Sequence, residues 1–291
     1  MNLRATIRAL IAYLIDAPDD ESPVVPEGLS QDLIALLREQ ADHLVAYQDE
    51  NYAALYLNRV RRFVGRAGVD AGMLHEIATL LADRMAYEDL LWFAQLKFEQ
   101  VKTSRRNRDR SADHKELYRF RADEVVSLLP AAAVDQVLPV LDWLNWSRAP
   151  IPLRLGSLSF VSYLYLRLLA TLPRWRRLSV RYSKESAWCE RWLHMIDRSL
   201  IRQPEATGSV IHTAALIHGH GESYSLALAN WHRIIDGLAK PAFDRSLIIS
   251  ALGPALARAQ AVAESDPVGA QLIAVIAEIR AACRAPMAVT G

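Results

Sequence analysis

Residues 30–64 read SQDLIALLREQADHLVAYQDENYAALYLNRVRRFV, and two apolar stripes of helical period run through them. Leu33, Leu36, Leu37 and Leu44 recur at spacings of three, one and seven, the pattern of one helix face. Ser30 stands where a side-chain oxygen can cap the first free amides, so a helix is expected from there to about Tyr47. Tyr52, Leu55, Tyr56, Val60 and Phe63 carry a second helix over Asp49–Val64.

Outward from this stretch the same period persists, and no segment shows sustained alternation of period two. Asp70 opens a pattern that extends to Thr103. Helices are expected over Asp123–Leu129, Ala131–Leu144, Ser157–Leu172, Lys184–Ile201, Glu205–Ile217, Ser223–Leu238, Phe243–Ala263 and Pro267–Ala282. Ser104–Asp113 reads as a polar loop, and Pro150 and Pro152 break the pattern at Arg148–Pro152. The expectation is an all-α bundle of about a dozen helices with no significant sheet. It is read as a single domain over 1–291, with 148–152 as the place where it would subdivide. Near the start, Leu3, Ile7, Leu10, Ile11 and Leu14 follow helical spacing, and Asp16, Asp19 and Asp20 follow them instead of a small-residue cleavage site. That is the pattern of an amphipathic helix. The longest uncharged run, Leu155–Leu166, is shorter than the ~18 residues that a span needs, so no membrane association is expected.

Composition narrows the function. Two cysteines, Cys189 and Cys283, are too few for a cubane cluster or most zinc ribbons, and point to a reduced, cytoplasmic protein. Twelve glycines in 291 residues leave little material for phosphate loops. The net charge of +1 argues against a uniformly basic nucleic-acid binder, yet it conceals strong segregation. Asp16–Glu50 holds ten acids and one base, Trp143–Lys184 holds eight bases and no acid, and Lys102–Arg121 holds eight bases and three acids.

Two constellations merit a chemical reading. His218, His220, Glu222 and Tyr224 alternate around Gly219 and Gly221. Two imidazoles and a carboxylate at alternate positions can hold a metal or a small anion, whereas the glycines alone suffice for a helix–turn–helix. The basic segments Arg119–Arg121 and Arg174-Trp175-Arg176-Arg177, with Arg181, interleave cations and aromatics. Such a surface suits nucleic acid, an acidic protein face or a solvated helix end. Trp143, Trp146, Trp188, Trp192 and Trp231 read as core, and Glu185, Glu190 and Asp197 as arginine partners. There is no phosphate-binding loop, serine elbow or paired Cys-x-x-Cys.

Five segments, taken together and in order, resemble a known family. They are Ala46-Tyr47-Gln48-Asp49-Glu50-Asn51-Tyr52-Ala53, Met85-Ala86-Tyr87-Glu88-Asp89, Tyr118-Arg119-Phe120, Arg177-Leu178-Ser179-Val180-Arg181-Tyr182 and Leu216-Ile217-His218-Gly219-His220-Gly221-Glu222-Ser223. They resemble the helical C-terminal domain of bacterial indolepyruvate oxidoreductase beta-type subunits, in the 2-oxoacid:ferredoxin oxidoreductase family, over roughly Leu33–Leu238. The resemblance implies a part in subunit docking within a thiamine diphosphate- and iron–sulfur-dependent assembly, with those cofactors held by partner subunits and none in this chain. It carries over no catalytic residue. The implied partner is the cognate oxidoreductase subunit or a preceding α/β domain. Arg119, Arg121, Arg174, Arg176, Arg177 and Arg181 are the expected contact surface, and self-association is an open arrangement.

Overall fold

The computed structural model describes residues 24–26, 28–106, 116–121, 126–128, 134, 137, 139, 140, 142, 143, 150–155, 173–219 and 221–283. Within these the chain is dominated by helices, as the periodicity requires. They are α1 (Gln31–Tyr47), α2 (Glu50–Arg61), α3 (Ala71–Met85), α4 (Leu90–Arg106), α5 (Val180–Arg202), α6 (Thr207–His212), α7 (Gly221–Ile234), α8 (Lys240–Phe243), α9 (Leu252–Ser265) and α10 (Ala270–Ala282). Ser30 caps α1 as expected, its hydroxyl accepting from the Leu33 amide. The expected helices at Ser157–Leu172 and most of 123–144 lie outside the described residues.

Three boundaries differ from the sequence reading, each for a local reason. The pattern beginning at Asp70 is two helices rather than one. The Asp89 carboxylate accepts from the Trp92 amide at 2.7 Å, so α4 starts afresh there. The span Glu205–Ile217 alternates tight 3₁₀ turns, Pro204–Ala206 and Thr213–Leu216, around α6. The helix expected over Phe243–Ala263 begins only at Leu252, because Arg245 takes a positive φ of 60° and the Ser246 and Leu247 amides fold back onto the Pro241 carbonyl.

One element was not expected. Glu116–Arg121 (β1) pairs antiparallel with Pro150–Leu155 (β2) in a two-stranded ribbon, with Arg119 opposite Pro152 and Arg121 opposite Pro150. Prolines that break a helix are tolerated here because each strand of a two-stranded ribbon keeps one unpaired edge. Among the described residues no helix is long and apolar enough to cross a membrane.

The chain packs as two compact units that interleave in sequence. The first is Met1–Asn58 with Met85–Ser186, and the second is Arg59–Arg84 with Ala187–Gly291. The expected place of subdivision, 148–152, therefore falls within the sequence of the first unit. That unit buries Leu37 and Leu44 of α1, Ala53 and Tyr56 of α2, and Ala94 of α4. The second buries Phe63, Ile77, Leu81, Trp192, Trp231, Ile234, Leu252 and Leu272. It contains a π turn, Ile235–Ala239, continuing α7 into α8. Trp188, Trp192 and Trp231 are core as expected, whereas Trp143, on a stretch it shares with exposed Val140, is 80% exposed and Trp146 lies outside the described residues.

Candidate functional site: a buried tyrosine–arginine–aspartate network

Four of the five resembling segments include residues of the first unit, and three of them converge on one place in it. Asp49 and Asp89 are both helix caps: Asp49 Oδ1 accepts from the Tyr52 amide at 2.8 Å, as Asp89 does from Trp92 at the start of α4. The 3₁₀ turn Pro173–Leu178 delivers two consecutive arginines to these two caps. Arg176 donates through Nε and Nη2 to both Asp89 oxygens, at 2.7 and 2.8 Å. Arg177 pairs with Asp49. A bidentate guanidinium–carboxylate fork fixes geometry as well as charge, so one short turn orients the starts of α2 and α4.

Aromatic groups close the network. Arg176 also donates to the Tyr47 carbonyl at 2.8 Å, and its guanidinium lies 3.8 Å from the Tyr47 ring centroid. The Tyr47 hydroxyl donates to the Tyr87 carbonyl at 2.7 Å, and the Tyr52 hydroxyl donates to the Met85 carbonyl at 2.8 Å. These two bonds satisfy carbonyls at and just past the end of α3. Tyr52 stacks on Tyr47 and meets Tyr182 at 5.9 Å. Arg181 sits 5.5 Å from the Tyr87 centroid and pairs with Glu185 at 2.7 Å. Burial, followed by the Asp89 charge, pushes the Tyr47 and Tyr87 hydroxyls well above the usual tyrosine range, so both are neutral at physiological pH.

This placement corrects the expected contact surface. Arg176 is fully buried, and its side chain is spent on Asp89 and Tyr47. Arg177 and Arg181 are largely covered and paired with Asp49 and Glu185. For Arg176 and Arg177 the acidic partners were hidden because they come from distant parts of the chain. Arg119 and Arg121 lie on β1, and Arg174 lies in the 3₁₀ turn. Sequence reading missed the roles of Asp49 and Asp89. An acid immediately before a helical stripe was their available signal.

The second candidate constellation is described in part. His218 and Glu222 are exposed, while Tyr224 is buried. His220 lies outside the described residues. Gly219 and Gly221 take positive φ of 81° and 64°, which is the turn-forming use of these glycines. Tyr224 faces inward, to the Arg84 guanidinium at 5.4 Å, and Arg84 also lies over Trp188 and donates to the Ile217 carbonyl at 2.7 Å. Among the described residues no group of His, Cys, Asp and Glu is arranged to hold a metal ion. Elsewhere in the second unit, Glu190 takes Arg59 and Arg62, and Asp197 takes Arg62 and Arg66. Burial would raise the Glu190 carboxyl, but the hydrogen bonds and charges of Arg59 and Arg62 outweigh it and hold it below the usual range.

Fold and network together define a mainly helical protein in whose first unit paired charges brace helix starts against one another. The chain matches a family of unknown function (DUF6537) over residues 33–237, more than two thirds of its length, and it belongs to that family. No curated protein and no solved structure matches it.

Proposed function

We propose that this chain is a non-catalytic helical domain of an indolepyruvate oxidoreductase-like assembly, acting in subunit docking and bracing. The observation that carries the reading is how the resembling segments are used. Their acids and arginines are spent on one another or on near neighbours: Asp49 on Arg177, Asp89 on Arg176, Arg181 on Glu185. A network occupied in this way supports an architectural role and leaves contact with a partner to other surfaces. The span of the resemblance, Leu33–Leu238, also coincides with the family span 33–237. The implied iron–sulfur clusters do not fit this chain, whose two cysteines are too few to ligate one. Those cofactors belong to the partner subunits in this reading.

The docking element we assign is the ribbon whose strands carry Arg119, Arg121 and Arg154, three cations on two paired strands suited to an acidic partner. The test is co-purification with the cognate thiamine-containing subunit at low and moderate salt. Association is expected at low salt, and the triple replacement Arg119→Glu, Arg121→Glu, Arg154→Glu is expected to weaken it at least tenfold. No association at low salt, or association indifferent to the triple replacement, sinks the proposal.

A further inference from the structure

Ile248 and Ile201 are 81% and 71% exposed, and both belong to one end of the second unit. Gln203 donates through Nε2 to the Ile249 carbonyl at 3.0 Å, and Arg198 reaches Asp244 at 2.7 Å, so residues 244–249 lie alongside the end of α5. The loop is held from within. Leu247 and Ile249 are buried on either side of Ile248, and the Ser246 and Leu247 amides donate to the Pro241 carbonyl at 3.0 and 3.2 Å. Among the described residues other than glycine, Arg245 alone takes a positive φ, a strained conformation that persists where the surroundings fix it. A single exposed isoleucine is ordinary, whereas two brought together on fixed backbone form an apolar anchor. We infer that this end of the second unit is a second contact for the partner subunit, and that it takes an acidic surface with an apolar depression. The inference rests on the docking reading above and adds an apolar anchor to the cations of the ribbon.

Charge selects that partner. Among the described arginines of the second unit, Arg202 and Arg245 alone have side chains with no hydrogen bond, ion pair or ring contact, and both are exposed. They flank the two isoleucines: Arg202 follows Ile201 directly, and Arg245 precedes Ile248 on the same fixed loop. Their neighbour Arg198 is spent on Asp244 and lies over the Phe243 ring. Exposed Lys240, next to Pro241, adds a third cation, and exposed Glu205 stands against them. Apolar side chains set among arginines are the composition of interface centres, from which lysine and glutamate are depleted. A guanidinium without a counter-charge of its own is complemented by carboxylates across the interface, which also steer the approach.

The test titrates the full chain with the cognate thiamine-containing subunit at low and moderate salt. Ile201→Ser with Ile248→Ser removes the apolar anchor, and both positions are on the surface, so the urea midpoint is expected to stay native. Arg202→Glu with Arg245→Asn removes the cations, and asparagine tolerates the positive φ. The isoleucine pair is expected to weaken binding at least tenfold at both salt concentrations. The arginine pair is expected to weaken it at least tenfold at low salt and less at moderate salt. Hydrogen exchange is the second measurement: amides of residues 244–251 are expected to slow at least tenfold when the subunit is bound. Native affinity in both variants, or exchange over 244–251 unchanged by the subunit, overturns this inference, and the docking reading survives if the ribbon replacement still weakens association. No association of the native chain at low salt overturns both. A sedimenting mass that rises with concentration in the chain alone, and stops rising in the isoleucine variant, identifies a second copy as the occupant and overturns the inference.

Discussion

Replacing Arg176 by methionine keeps most of the length of the side chain and deletes its charge. Three things are lost at once: a fully buried fork to Asp89, a bond to the Tyr47 carbonyl at 2.8 Å, and the stacking of the guanidinium 3.8 Å from the Tyr47 centroid. The largest loss comes from the uncompensated Asp89 carboxylate, whose side chain is 4% exposed. Removing one partner of such a pair costs about 3–5 kcal/mol. The unpaired carbonyl and the lost cation–π contact fall within the same disruption and do not add in full. Equilibrium urea unfolding followed by circular dichroism reads the loss. A second variant isolates the mechanism: Asp89→Asn on top of Arg176→Met removes the stranded charge and keeps an oxygen to cap the Trp92 amide. The double variant is expected to recover about 1–2 kcal/mol relative to the single one. An Arg176→Met protein within about 1 kcal/mol of the native one, or a double variant weaker than the single, refutes the reasoning.

Two further outcomes follow from the same geometry. Gly269 sits at φ 83°, and a Cβ there would meet the side chains of Asn230 and Arg233, which are themselves tied to each other and to the Pro267 carbonyl. Gly269→Ala is therefore expected to lose about 2–3 kcal/mol, more than Gly28→Ala, where φ is 79° and the space is open, and equal losses in urea would contradict this. His232 accepts from Arg191 through Nδ1 at 2.8 Å, and burial first, then the Arg191 charge, lowers its proton affinity below the usual histidine range. The unfolded chain thus takes up the proton first as pH falls, so stability is intact above the ordinary value near 6.5 and declines below it. His232→Asn, which keeps an acceptor for Arg191, is expected to flatten that decline in Tm against pH, and a ring that titrates by NMR at or above the ordinary value contradicts the account.

The helices were readable because their apolar stripes are long. Leu33 to Leu44 and Tyr52 to Phe63 each give two or more turns of consistent spacing, and α1 and α2 stand close to where the pattern puts them. The ribbon was not readable, although Ile151, Leu153 and Leu155 do alternate with Pro150, Pro152 and Arg154. Six residues are too few to outweigh a chain of helical period, and two prolines read as a break. The network was legible only as halves. Arg176 and Arg177 looked like a surface patch because the acids that pair with them lie far off in sequence. The pairs Asp89–Arg176 and Asp49–Arg177 are separated by 87 and 128 positions, a distance that local reasoning about charge cannot cross. The His218–Tyr224 turn poses the opposite difficulty: its residues are close in sequence, which left a ligand site and a plain turn both open, while burial differs along it, with Tyr224 inside and Glu222 exposed.

The interleaving of the two units has a consequence for biosynthesis. Residues 59–84 leave the ribosome before any of 85–186, yet their packing partners begin at Ala187. At about 5–20 residues per second, those hundred intervening residues keep Phe63, Ile77 and Leu81 waiting about 5–20 s for the helices that cover them. Throughout that interval the nascent chain presents an unsatisfied apolar surface to chaperones. No single cut in the sequence separates the two units, so a stop codon anywhere between residues 85 and 175 strands the second unit without its later half and the first without the arginines that hold its helix starts.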